Sequence, residues 1–403
     1  MEDDEVAVIT ADHVQMYDSD RCQLEKEKHT IEWDVTAAEK GGYAHFMLKE
    51  IMEQPEAVRK TISPRLSDGK IVLNELKDTA DLFRNISRIY IVACGSAYHV
   101  GMVGKYTLEK LLHIPVEACL ASEFRYSEPM LGESALVIVI SQSGETSDSM
   151  AALREAKRKG SKVLSIVNVM GSSIARESDI VLYTWAGPEI AVATTKAYTT
   201  QMALLIMLGV FWAKQLNRIG QEEYDAIVQG LYILPEKIKE VLNEVDNCQK
   251  IASRYFNHNS VFYIGRNLDY ALGLEGSLKL KEISYIHSES YAAGELKHGT
   301  ISLIEPGTLV VALATYAPLV EKSLSNIVEV KSRGAEVIAM TTEITANIIG
   351  SQASELFIIP EVHPVLQPVL GVIPLQLFAY YVALNRGCDI DKPRNLAKSV
   401  TVE

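Results

Sequence analysis

The amino-acid sequence points to an α/β protein built from two tandem, doubly wound parallel-sheet domains related by an internal repeat. Apolar strands alternate with amphipathic helices, the pattern of a parallel sheet covered on both faces. The same strand–helix order returns after roughly 170 to 175 residues. The length, 403 residues, is also more than one typical core accommodates.

Taken in order, "EVAVIT" and "HVQMYD" near the start alternate weakly about "ADH" and read as a short hairpin. With the charged "CQLEKEKHTIEWD" that follows, they are too little to form a core. "GGYAHFMLKEIMEQPEAVRKTI" then becomes helical after Ala44. Strands are expected at 88–93, 135–140, 162–167 and 179–184, and again at 260–265, 308–313, 335–340 and 355–360. "SDSMAALREAKRKG" reads as a helix stopped by Gly160. "LGLEGSLKLKEISYIHSES" reads as one continuous helix. Each fourth strand leads into an apolar helix holding a Gln, "TTQMALLIMLG" and "PLQLFAYYVAL". A charged helical stretch from Ala213 to about Ile251 joins the copies.

Apolar residues make up 48% and charged residues 23%, a soluble globular profile. The formal charge of −13 argues against general binding of nucleic acid or anionic membrane, which needs a basic face. A small phosphorylated ligand remains compatible, because backbone N–H groups and hydroxyls can hold it. The five cysteines are scattered, and no CxxC or Cys/His cluster suggests a metal. Reduced thiols and a cytoplasmic location are expected. The acidic start lacks a signal-peptide pattern, and the apolar run Met202–Ala213 is too short to span a bilayer.

The first candidate site is "VIVISQSGETSDS", where a buried strand ends in an excess of hydroxyls. In an open parallel sheet, ligands sit outside the carboxyl ends of strands, where helix amino ends offer free N–H groups. Ser141, Ser143, Thr146 and Ser147 supply hydroxyls, Gln142 an amide, and Gly144 close backbone approach. The loop has neither a GK[ST] ending nor GxGxxG, so it is not a nucleotide fingerprint. The plainer alternative is a helix cap at Thr146 or Ser147. The second copy has "LATYAPLVEKS" instead, which favours a site over a fold requirement. Neighbouring candidates are Cys94, Gly95 and Ser96 in "ACGSAYHVG", and Thr194 and Thr195 in "AVATTKAY".

Acid–base candidates come from the second copy. Glu275, Lys279 and Glu282 share a helix face, as an exposed salt-bridge lace or as charges entering a cleft. Gly273, Gly276 and Ser277 would let another backbone approach that helix. His298 is a loop histidine suited to proton transfer or ligand binding. Lys398, framed by apolar residues in the tail, is either solvated or folded over a site as an amine nucleophile.

Together "ACGSAYHVG", "ASEFRYSEP", "SQSGETSDS", "VATTKAYTTQ", "EGSLKLKEISYIHSESYAAGELKHG" and "DKPRNLAKSVTVE" resemble the isomerase part of the glutamine–fructose-6-phosphate aminotransferases, from about Glu5 to the end. The resemblance implies a remnant of the glutaminase domain at 1–36, a linker with leading helices at 37–79, and a first sugar isomerase (SIS) domain at 80–219. Connecting helices at 220–250, a second SIS domain at 251–393 and a tail over the active site at 394–403 follow. It implies a ligand among fructose 6-phosphate, glucosamine 6-phosphate and glucose 6-phosphate, with no cofactor. Ser141, Gln142, Ser143 and Thr146 would hold the phosphate. Cys94, Gly95, Ser96, Val192, Ala193, Thr194 and Ala397 would line the sugar site. Glu282 matches the base that moves a proton between C1 and C2, and Lys279 a supporting charge. Lys398 matches the Schiff-base amine, and His298 a ring-opening residue supplied across a homodimer. Ala97 stands where many members have Ser.

The family's glutaminase nucleophile is an amino-terminal Cys, whereas this chain begins Met1–Glu2, so glutamine hydrolysis is not expected of it. Two other readings stay open: a non-catalytic sugar-phosphate regulator, and a fructosamine-phosphate deglycase or sugar-phosphate deaminase. A helix-turn-helix, expected of the former, is not evident; the "KSVTVE" ending favours the synthase over the latter.

Overall fold

The computed structural model describes residues 4–26, 39–77 and 79–402, and it divides into residues 1–39 and 40–403. In the first unit, β1 (Val6–Ile9) and β2 (Val14–Tyr17) pair antiparallel as the hairpin pattern predicts, with β3 (Gln23–Leu24) beside β2. Val6, Ile9 and Val14 are more than half exposed, so this small sheet has no core of its own. Most of the charged stretch after it lies outside the described residues.

The second unit begins with α1 (Phe46–Met52) and α2 (Gln54–Ile62), a tight pair β4 (Leu66–Ser67) and β5 (Lys70–Ile71), and α3 (Ala80–Asn85). The first α/β copy follows. It runs β6 (Arg88–Ala93), α4 (Gly95–Leu112), β7 (Val116–Leu120), α5 (Ala121–Phe124), β8 (Ala135–Ser141) and α6 (Ser147–Arg158). It then adds β9 (Lys162–Val167), α7 (Ser173–Glu177), β10 (Ile180–Tyr183) and α8 (Lys196–Gln215). Helices α9 (Gln221–Leu242) and α10 (Val245–Tyr255) connect to the second copy. There β11 (Ser260–Gly265), α11 (Leu268–Ser284), β12 (His287–Ala292), β13 (Leu309–Ala314) and α12 (Val320–Lys331) repeat the pattern. Last come β14 (Glu336–Thr342), α13 (Ala346–Gly350), β15 (Glu355–Ile359) and α14 (Gln367–Asn385).

Both sheets are parallel and share one topology, β7-β6-β8-β9-β10 and β12-β11-β13-β14-β15. Strand order therefore reverses between β6 and β8 in one copy and between β11 and β13 in the other. Such a reversal opens a crevice at the carboxyl edge of a sheet. Every residue of β8 is buried, as its unbroken apolar run requires of a central strand.

One expectation needs correction, and one strand went unread. The helix read through "SYIHSES" stops at Ser284: Tyr285 takes a left-handed φ of 62°, and His287–Ala292 is an edge strand. Likewise His113, at φ 52°, ends α4 and leads into the unforeseen edge strand β7. Both strands are short, sit at sheet edges and lack an apolar run, so hydrophobic periodicity does not mark them. The repeat is thus deeper than the sequence suggested.

The copies meet through α4, α8, α11 and α14. α14 is long and apolar enough to cross a membrane, but here it is a core helix buried along nearly its whole length. Between the copies, Gln54 donates to Gln376 (2.9 Å) and accepts from Thr199, and Gln376 in turn donates to the Thr195 carbonyl (3.4 Å). A closed amide network of this kind fixes register as well as contact. The small residues of α11 do allow close approach: a Cβ on Gly276 would lie 2.7 Å from Leu375, and one on Gly273 would lie 2.5 Å from the Ser290 hydroxyl.

Gly265 is more constrained, since a Cβ there would sit 2.5–2.7 Å from the backbone of Asp269 and Tyr270. Backbone cannot swing aside as a side-chain tip can. Gly265→Ala is expected to cost about 3 kcal/mol by denaturant unfolding. Gly220→Ser, at an open N-cap with nothing within 4 Å, is expected to change stability by only a few tenths.

Candidate active site

In the first copy the crevice lies between the ends of β6 and β8. β8 closes with Ser141, whose Oγ accepts from the Gly144 N–H (3.0 Å) and pairs with Thr146 Oγ1 (3.3 Å). Gly144 has φ 69°, and a Cβ there would lie 2.0 Å from Ser172 Oγ, so the turn needs glycine twice over. Thr146 is the N-cap residue of α6, yet its side chain makes no capping bond. The plain cap reading therefore fails. The hydroxyls of Ser147 and Ser172 are buried without a partner, and the loop carries no basic residue. Glu145, its one charge, accepts from the Ser173 N–H (2.8 Å). Such a nest of neutral donors at a helix amino end suits an anion.

The carboxy-terminal tail lies on this loop. Ser399 Oγ pairs with Ser143 Oγ (3.1 Å), and the Ser147 N–H donates to the Val400 carbonyl (3.1 Å). Upstream, the Val192 N–H donates to the Asp391 carbonyl (3.0 Å). The Asp391 carboxylate caps α1 through the Phe46 and Met47 N–H groups (2.9 and 3.0 Å). Tail, leading helix and the loop that carries Val192, Ala193 and Thr194 are thereby one assembly.

On the β6 side, Gly95 takes a left-handed φ of 54° and starts α4, bringing Cys94 and Ser96 to the crevice. Burial pushes the Cys94 thiol up, and its Sγ lies 3.9 Å from Ser149 Oγ. A thiol kept protonated is not an activated nucleophile. Ser96 Oγ instead donates to Glu275 Oε1 across the copies (2.9 Å).

Glu275 and Lys279 are fully buried, so the helix face is not an exposed salt-bridge lace. Glu275 also bonds His99 Nδ1 (2.8 Å) and lies 3.4 Å from Lys279 Nζ, which forms a close ion pair with Glu282. Burial alone would lower the Lys279 ammonium. The carboxylates of Glu275, Glu282 and Glu189 outweigh it and hold the group above the ordinary lysine range.

Lys398 reaches the same region from the tail. Its Nζ donates to Glu189 Oε2 (2.7 Å) and to the Ala191 carbonyl (2.8 Å). Glu189 has no exposed side-chain surface and also accepts from Thr194 Oγ1 and from the Thr195 and Ala197 N–H groups (2.9 and 3.0 Å). Glu189 thus touches Lys398 and acts on Lys279, which joins the two charge clusters. Sequence reasoning missed this residue, although it is the only charge between Asp179 and Lys196. Glu50, on α1, was also missed, and nothing distinguishes it within the charged "LKEIMEQPE". His298 stands elsewhere: it ends the 3-10 helix Ala293–His298 behind β12 and faces solvent.

The second copy answers its own crevice differently. Asp269 occupies the repeat position of Ala97, and its buried carboxylate accepts from the Thr315 N–H (3.0 Å), Thr315 Oγ1 (2.5 Å) and the Tyr316 N–H (3.0 Å). Donors that stand at the end of β8 in the first copy are here taken by the protein's own anion.

A SIS-domain model matches residues 82–210 and 254–386. Along its whole length the chain is 54% identical to a glutamine–fructose-6-phosphate aminotransferase (isomerizing) of Clostridium acetobutylicum and 46% identical to that of Methanosarcina acetivorans. It spans 66% and 65% of those proteins, slightly under two thirds. The C-terminal domain of glucosamine-fructose-6-phosphate aminotransferase from Francisella tularensis superposes with a TM-score of 0.84 at 39% identity, over 88% of this chain and 99% of that one. A glucosamine-6-phosphate deaminase from Thermotoga maritima shares the fold at 24% identity, with a TM-score of 0.67. With both copies matched by one family model, this chain belongs to the SIS-domain family, allied to the isomerase part of the glutamine–fructose-6-phosphate aminotransferases.

Proposed function

We propose that the chain is a ketose–aldose isomerase unit acting on fructose 6-phosphate. It would yield glucosamine 6-phosphate with ammonia and glucose 6-phosphate without it. The observation that carries this reading is the convergence at one crevice of a phosphate-type loop without a basic residue, a tail lysine and a Glu–Lys–Glu cluster centred on the buried Lys279. Sugar-phosphate specificity and the aminotransferase activity come from the relatives' names, and the geometry supports them in the following way.

Ser141, Gln142, Ser143 and Thr146, with the amino end of α6, hold the phosphate and so fix the sugar's far end. Cys94, Gly95, Ser96, Val192, Ala193, Thr194 and Ala397 line the remainder. Lys398 adds to the C2 carbonyl of the open-chain ketose, and loss of water gives an imine. Ammonia then takes the place of the lysine at C2 and frees its amine; without ammonia, water does so and restores the ketone. The C1 hydrogen beside that imine or ketone is taken by the Glu282 carboxylate and returned at C2, as the C1 hydroxyl gives up its proton to become the aldehyde. Lys279, already paired with Glu282, balances the charge that moves. Ring opening needs a proton shuttle at O5, and His298 supplies it from the partner subunit of a homodimer.

Incubation of the chain with fructose 6-phosphate and ammonium, with glutamine as a parallel arm, is expected to form amino sugar with ammonium. Formation of neither glucosamine 6-phosphate nor glucose 6-phosphate would remove the catalytic reading and leave a sugar-phosphate-binding protein. Glu282→Gln should lower isomerisation by ~100- to 10,000-fold while borohydride still traps sugar on Lys398; turnover within threefold of the parent would exclude it as the base. Ser143→Ala should weaken binding of fructose 6-phosphate by about 1–3 kcal/mol in calorimetry, with no comparable effect on unphosphorylated fructose.

A further inference from the structure

The tail lysine is not free at the mouth of the crevice. Its ammonium is held by two acceptors of one loop, the Glu189 carboxylate (2.7 Å) and the Ala191 carbonyl (2.8 Å). That loop is pinned from the opposite side by Glu50 of α1, whose Oε1 accepts from the Ile190 and Ala191 N–H groups (2.5 and 3.2 Å). Glu50 is itself buried, and its Oε2 has no partner. Two carboxylates thus share the surroundings of one ammonium.

The other charges nearby are already committed. Lys196, on α8, is held by Glu53 (2.7 Å), and Lys49 lies 3.6 Å from the same carboxylate. Lys40 lies 3.6 Å from Asp391 at the start of α1. From α11, Lys279 faces Glu275 and Glu282.

We propose that Glu189, backed by Glu50, is a resting dock that holds the Lys398 side chain on its own loop and keeps the amine from attack until it is displaced. This rests on the Schiff-base role given to Lys398 above. An ammonium has no lone pair. Before attack, Nζ must give up one proton, to Glu189 or to water; the freed electron pair then forms the C–N bond, and the carbonyl oxygen leaves as water. A buried counter-ion opposes the first of these steps, so the dock holds the lysine in place and keeps it inert until it is displaced.

The electrostatics agree with the geometry. Burial would raise the Glu189 carboxyl, but the Lys398 ammonium and the surrounding donors outweigh it and lower the group. Burial, followed by repulsion from Glu189, pushes Glu50 up to about 8. Since its folded value is raised, Glu50 adds stability that is complete below the ordinary carboxylate range and lost as pH rises through about 8. Both groups are positioning residues.

The test is competitive acetylation of the full chain with acetic anhydride at neutral pH, read by mass spectrometry on the peptide bearing Lys398. In Glu189→Gln, which preserves shape and an acceptor for the Thr195 and Ala197 N–H groups, Lys398 should label about tenfold faster than in the parent. Glu189→Asp should return the rate part of the way, and Glu50→Gln should raise it by less than Glu189→Gln does. Glu50→Gln should also flatten the fall of Tm expected of the parent between the ordinary carboxylate range and about pH 8. A labelling rate unchanged in both Gln variants would overturn the dock; should Glu189→Gln not fold, the Glu50→Gln rate decides alone. Borohydride trapping with fructose 6-phosphate separates the two claims. No adduct on Lys398 in the parent removes the Schiff-base reading, whereas an adduct with unchanged labelling rates removes only the dock.

Discussion

A carboxylate buried at the seam between the two copies is the constraint on which the site depends. Glu275 has no exposed surface, and a charge so placed is tolerated only with full pairing. Its partners come from both sides: Ser96 and His99 from the first copy, Lys279 from its own helix. Removing one partner of such a buried pair costs about 3–5 kcal/mol, so the carboxylate specifies how α11 must lie on α4. Once that register is fixed, Lys279 is held beside Glu275 and pairs with Glu282 further along α11, which the proposed reading assigns to the crevice of the other copy. Neither copy holds both halves of the proposed chemistry.

The repeat explains how such a division can arise. Each copy has the same strand order and therefore the same crevice. In the second, Asp269 takes the donors at the strand end, and burial raises its carboxyl to about 6 despite the three bonds it accepts. A group held against its own solvation needs a closed, dry environment, which an open ligand site is not. At the same point the first copy has Ala97, and the donors beyond β8 remain for something brought from outside. One copy keeps its crevice filled, while its helix α11 equips the crevice of the other.

Sequence legibility followed burial. The central strands were readable because a strand covered on both faces is a continuous apolar run, as Ile89–Ala93 and Leu136–Ile140 are. The edge strands at Val116–Leu120 and His287–Ala292 were not, since only one residue of each is buried and its composition is that of a loop. Site residues divide the same way. Ser141–Ser147 stood out because a turn does not need so many hydroxyls. Glu275 and Lys279 were visible as a helix face, but their burial was not, because burial depends on where the other copy lies. Glu50 could not be found at all: its meaning comes from a loop 140 residues away in sequence. Glu189 could have been, as the lone charge in an otherwise neutral loop.

The two ends of the site are joined by one peptide bond. Lys398 contacts the Glu189 loop, and the next residue, Ser399, contacts Ser143 of the phosphate-type loop. With a rise of at most ~3.6 Å per residue, their backbones cannot separate, so a shift of the tail at one contact moves the backbone that carries the other. The Val400 carbonyl engages the Ser147 N–H, a donor that a bound anion would also seek at the amino end of α6. Filling that position with an anion must therefore remake a tail contact two residues from the lysine. A loop without a cation of its own is then consistent with a chain of charge −13. In the proposed complex the anion would be met by dipoles, and the nearby positive charge would come from a tail lysine now held by Glu189.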